Sequence, residues 1–232
     1  MSSPAPKANY SGQLLRLRNE EKFPVVARRL ENVIPVGVTS ARGWHVFEWT
    51  TDFDAGVETR RATEDGEYFT YWLLVREVED RFLLASTHAD IVQQFIIRNR
   101  LAKAVEKPLV DVAALVKQTI FPADGEVDNS ATPYRLGALY AAVDGFGRSV
   151  RTVSLFGDDL GGATMVRTML EYLNPFRVTL RDIRNDQEVL SISTQGEMNF
   201  YYRGAGSLDS VDKALAHIRR GNYIHWRLKH NG

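Results

Sequence analysis

Cysteine is absent from all 232 residues. That excludes disulfide frameworks, thiolate zinc sites, iron–sulfur clusters and cysteine nucleophiles, and it agrees with a reducing compartment. No apolar run approaches bilayer length, and the segment from Met1 to Asn9 lacks the hydrophobic stretch of a signal peptide. The expectation is a soluble, cytoplasmic protein with no membrane partner. Neither sign of charge dominates, since Lys plus Arg and Asp plus Glu stand at 29 each. The balance is uneven along the chain. Residues 1–50 carry 7 basic and 4 acidic groups (+3), residues 51–130 carry 9 and 15 (−6), and residues 131–232 carry 13 and 10 (+3). Such polarity suits complementary faces within a fold or an assembly, although ordinary solvated surface is the simpler reading. A chain without net charge has little colloidal repulsion, so self-association is expected.

Motifs of common catalytic sites are missing too. There is no Gly-x-Ser-x-Gly elbow, no His-Glu-x-x-His helix and no kinase set. The five histidines (His45, His88, His217, His225 and His230) share no metal-ligand spacing on a helix face. Asp182 with Glu188 has a nuclease-like spacing, but Leu190 stands where the lysine would be, so a hairpin's surface charge is the simpler reading.

What the chain does contain is a strand-turn-strand-helix pattern that recurs three times in pattern only. A solenoid or propeller is therefore not expected. In the third copy Phe176, Val178 and Leu180 alternate with Arg177 and Arg181, which places the apolar side chains on one sheet face and the arginines on the other. Residues 184–187 make its turn, a strand resumes at Val189, and a helix follows from about Leu208, capped by Ser207 and closed by Gly221. Strands are also expected over 15–18, 44–53, 68–78, 81–86, 134–143 and 148–156, with turns at Glu79-Asp80 and Asp144-Gly145 and a last edge strand over 223–228. Helices are expected from Phe23-Pro24 through Val26, Leu30 and Val33, and after a capping box at Thr87-His88-Ala89-Asp90. Two more are expected from Pro108 to Ile120, and along a core face of Met165, Val166, Met169 and Leu173 that Asn174-Pro175 ends.

The fold class read from this is α+β: antiparallel sheet built from strand-turn-strand-helix units, helices packed on one face, in two lobes. Residues 1–9 read as a flexible tail, 10–121 as an N-terminal lobe, 122–133 as a linker and 134–232 as a C-terminal lobe.

Three constellations could carry chemistry. Phe156-Gly157-Asp158-Asp159 resembles, over four residues, the Gly-Asp-Asp with which some polymerases bind magnesium on a strand turn. With Asp144 in the same hairpin, the resemblance implies a metal-dependent phosphoryl-transfer site at Asp158 and Asp159. Here, however, the carboxylates precede a helix, where Asp commonly caps, so no metal and no cofactor is expected. Arg203-Gly204-Ala205-Gly206-Ser207 opens a helix with bare amides and a cation, a candidate anion site at Arg203, Gly204, Gly206 and Ser207; it lacks the P-loop lysine. The C-terminus gathers Lys213, Arg219, Arg220, Tyr223, His225, Trp226, Arg227, Lys229 and His230. There the cations would meet phosphates and the aromatics would stack on unpaired bases. The favoured expectation is a non-enzymatic binding or adaptor protein whose partner is another protein or another copy of itself, with nucleic acid as the rival partner.

Overall fold

The structure, a computed structural model, describes residues 7–19, 21–38, 43–56, 60–61, 68–78, 81–120, 133–143, 151–203 and 205–226. It is an α+β fold in which, among the described residues, the strand ladders within each of two compact units are antiparallel.

Strand β1 (Ala8–Leu17) starts inside the segment expected as a tail and is longer than the alternation at 15–18 implied. Gly12 to Leu15 are all buried, so the wet face that creates a period-two signal is missing there. Helix α1 (Phe23–Ala27) is a single short turn with Pro24 in its first positions; Val33 opens β2 (Val33–Val38) instead of continuing the helix. Val26, on α1, and Leu30, just after it, still pack against the core. Strands β3 (Trp44–Thr51), β4 (Arg60–Arg61), β5 (Phe69–Val78) and β6 (Arg81–Ser86) follow. Helix α2 (Ala89–Arg98) is capped by His88 rather than Thr87, the imidazole Nδ1 accepting the Asp90 N–H at 3.4 Å.

Strands β7 (Val105–Glu106) and β8 (Leu109–Val110) precede α3 (Val112–Ile120). That helix begins later than expected because Asp111 caps it, its carboxylate accepting the Ala114 N–H at 2.8 Å. Strands β9 (Tyr134–Val143) and β10 (Thr152–Phe156) lead to α4 (Thr164–Met169). Helix α4 gives way to a 3-10 turn at Leu170, and the expected apolar stripe is only partly realised: Val166 and Leu173 are buried, while Met165, next to Val166 on the helix and so about 100° round from it, is 65% exposed. Strands β11 (Leu173–Asp182), β12 (Gln187–Ser193) and β13 (Glu197–Tyr202), helix α5 (Ala205–Arg220) and strand β14 (Ile224–His225) complete the chain. On β11, Val178 and Leu180 face inward as expected, but Phe176 is exposed. The pairing with β9 slips between Pro175 and Arg177, which leaves Phe176 as the extra residue of a bulge. The turns at Glu79-Asp80 and Asp144-Gly145, residues 1–6 of the expected tail and 122–132 of the expected linker lie outside the described residues.

The chain forms two compact units, one from Met1–Pro108 with Gly196–Asp209 and one from Leu109–Gln195 with Ser210–Gly232. In the first, the ladder order is β13-β1-β6-β5-β3-β2. One face is covered by α1 and α2 through Phe23, Phe82, Phe95 and Trp49, with Phe23 stacked on Phe82 at 4.3 Å. The other face is also largely buried. Trp44 on β3 and Phe200 on β13 lie 5.8 Å apart, although four strand spacings of a flat sheet would separate them by about 19 Å. The sheet therefore coils until its concave face closes on Tyr10, Trp44, Phe200 and Tyr202. Trp72, on β5, is half-buried.

In the second unit the order is β10-β9-β11-β12, with α3 packed on β9 and β11, and β14 paired with β8. Helix α5 ends in paired turns: Asn222, at φ 57°, lets Tyr223 donate to Ile218 O and Asn222 donate to Arg219 O. The Tyr223 ring then folds onto Gly221, where a Cβ would sit 2.0 Å from a ring carbon, so glycine is required there by close approach.

Candidate interaction surface

Asp158 and Asp159 sit side by side after β10. Asp159 accepts the Gly162 N–H at 3.3 Å and caps the 3-10 turn Leu160–Gly162; Asp158, almost fully exposed, pairs with Arg181 Nη1 at 2.5 Å. Asp186 also approaches Arg181, and these acids hold the guanidinium protonated. Asp144 lies outside the described residues. Among the described residues no group of three or more His, Asp or Glu is placed to hold a metal ion.

At the glycine-rich junction Ser207 lies within α5 rather than before it, and its hydroxyl accepts the Arg203 N–H at 2.9 Å. The Arg203 guanidinium lies over the Tyr201 ring, 5.0 Å from its centre. Gly206 is in the first turn, and Gly204 is outside the described residues.

The C-terminal cluster is divided. Lys213 and Arg220 are exposed two turns apart on α5, and Arg219 is half-buried. Tyr223 is buried and its hydroxyl donates to Gln118 Oε1 on α3, so its ring offers no stacking platform. Trp226 is half-buried and His225 exposed, while Arg227, Lys229 and His230 lie outside the described residues, as does Leu228 of the expected edge strand. Half-buried His217 faces the Tyr134 ring at 5.3 Å; burial, then Arg220, pulls its imidazole below the usual value, and burial pushes the Tyr134 phenol up to about 12.

Two features were not singled out in the sequence. One is a cleft of about 350 Å³ between α3 and the segment after α4, floored by Val116, Leu170, Leu173 and Pro175, with Lys117, Arg167 and Glu171 among its lining residues. Arg167 is anchored there by its Nε, which donates to Gly161 O at 2.7 Å. The other is the outer edge of β10.

At the two ends of the β9–β10 ladder, Val143 donates to Arg151 O and Gly157 donates to Gly137 O, both at 3.1 Å. In the antiparallel register the odd-numbered residues therefore bond to β9, and Thr152, Ser154 and Phe156 aim their N–H and C=O groups the other way. Among the described residues no strand pairs with that side. The strand reads Thr-Val-Ser-Leu-Phe, with no proline and no charge, and Phe156 is 68% exposed, its ring meeting Tyr140 edge-on at 5.6 Å. Such an edge is a template for a further strand.

No protein-family model matches the chain, and no curated protein matches it. Among the described residues no helix is long and apolar enough to cross a membrane.

Proposed function

We propose that the chain is a non-enzymatic binding protein that engages another polypeptide by adding a strand to the outer edge of β10. The observation that carries this reading is the row of outward backbone groups at Thr152, Ser154 and Phe156, in unshifted register with β9, beside an exposed apolar ring and with no proline or charge in the strand itself. Backbone pairing supplies attraction and the alternate side chains supply selectivity. Asp158, Asp159 and Ser207 each satisfy a neighbouring group of the fold, which gives an enzymatic or anion-binding reading less support.

The test compares the full chain with Ser154→Pro as baits for strand-forming partners in native extract. Because the Ser154 N–H points away from β9, proline removes an outward donor without breaking the β9 ladder. Partners retained by the full chain and lost with Ser154→Pro are the expected result; identical recovery by both baits would remove the proposal.

A further inference from the structure

We infer that the strand received by β10 is β10 of a second copy, antiparallel and centred on Ser154; this rests on the reading of β10 as a contact edge. An antiparallel twofold through Ser154 sets Ser154 against itself and Thr152 against Phe156. All three are the residues whose backbone groups face outward, so the pairing forms about six hydrogen bonds with none left over.

Charge selects the same arrangement. The uncharged strand is flanked by exposed Arg151 at its start and, at its end, by exposed Asp159 beside Asp158, whose carboxylate pairs with Arg181, so the end keeps a net negative charge. Antiparallel copies put the Arg151 end of each beside the acidic end of the other, whereas parallel copies would set like charges together. The zero net charge of the chain offers no long-range repulsion to a second copy. A strand pairing this short falls in the small-interface class, below ~1,200 Å², so the association is reversible and depends on concentration.

The absence of cysteine makes the register directly readable. In a Ser154→Cys chain the two thiols face each other across the twofold at the Cα separation of an opposed pair, about 5.5 Å, which a disulfide spans. In a Val153→Cys chain each thiol opposes Leu155 of the other copy, and the two cysteines are a diagonal apart, about 7 Å or more and out of reach. Each variant is oxidised mildly at high protein concentration and resolved without reductant. The full chain and Ser154→Pro are sedimented over a dilution series. The expected result is a disulfide-linked dimer from Ser154→Cys and none from Val153→Cys, with a full chain that doubles in mass on concentration and a Ser154→Pro chain that does not. Equal cross-linking of the two cysteine variants overturns the register. A full chain that stays monomeric at every concentration overturns self-pairing; if Ser154→Pro still loses a captured partner in that case, the contact-edge reading survives with a different strand as occupant.

Discussion

Strands β2 and β10 each end a ladder in their own unit, yet only β2 carries a defence. Asn32 O accepts the Thr50 N–H, so residues 32 and 34 face β3 while Val33 and Pro35 face outward. Pro35 therefore stands where an N–H would otherwise be offered to a visitor, and the register slip between Pro35 and Gly37 bends the strand beyond it. Apolar exposure does not separate the two edges, since Ile34 is 57% and Val36 38% exposed on β2, against 68% for Phe156 on β10. What separates them is a row of outward backbone donors and acceptors, in unshifted register on β10 and interrupted on β2.

A large effect is expected from Val153→Pro, which removes a donor to β9, leaves its acceptor unpaired and breaks the ladder, and should cost at least about 1–3 kcal/mol in urea unfolding, while Ser154→Pro next to it stays near the full chain. A small difference between them would mean that the inward and outward residues of β10 are assigned the wrong way round. Leu180→Ala, at a fully buried position of the same sheet, should cost about 2–5 kcal/mol, against little for the half-buried Arg177→Ala. Gly221→Ala must displace the Tyr223 ring and should cost about 1–3 kcal/mol without changing association, which separates fold damage from edge damage.

Acid offers another separation. His217 binds its proton less readily when folded, so the unfolded chain takes up a proton near pH 6.5 that the native chain refuses. Stability should fall as pH drops through that range, and His217→Gln should flatten the slope. No histidine is among the described residues of the β10 edge, so association should not follow the same titration while the chain stays folded. The smallest effect on stability is expected for Pro35→Ser, within about 0.5 kcal/mol. That change restores an outward N–H on β2, and sedimentation should show a gain of association if a blocked donor is the defence.

The fold class was legible because the hairpins at 69–86 and 173–193 keep turn residues between runs of β-forming side chains. Where the reading slipped, a local signal had two physical outcomes. The run from Gly12 to Leu15 lacks alternation because the coiled sheet is dry on both faces, and Phe176 left its expected face because a bulge breaks the period. Ser207 lies in the helix it was expected to cap, and His88 caps in place of Thr87. The β10 edge was hidden for a different reason. Thr152–Phe156 reads as a strand from its residues, but whether a strand is central or terminal depends on ladder order, which residues far apart in the chain decide. Its lack of charge and proline was the one trace in the sequence. The burial of Tyr223 was likewise set by Gly221 and Gln118, one two residues before it and the other across the unit.

Amide hydrogen exchange read residue by residue along β10 tests the claim of an open edge most directly. In dilute solution Val153 and Leu155, bonded to β9, should exchange slowly and Thr152, Ser154 and Phe156 quickly; raising the protein concentration should slow the second group alone. Slow exchange at Thr152, Ser154 and Phe156 that persists unchanged on dilution would mean that the chain covers its own edge, and would contradict the account.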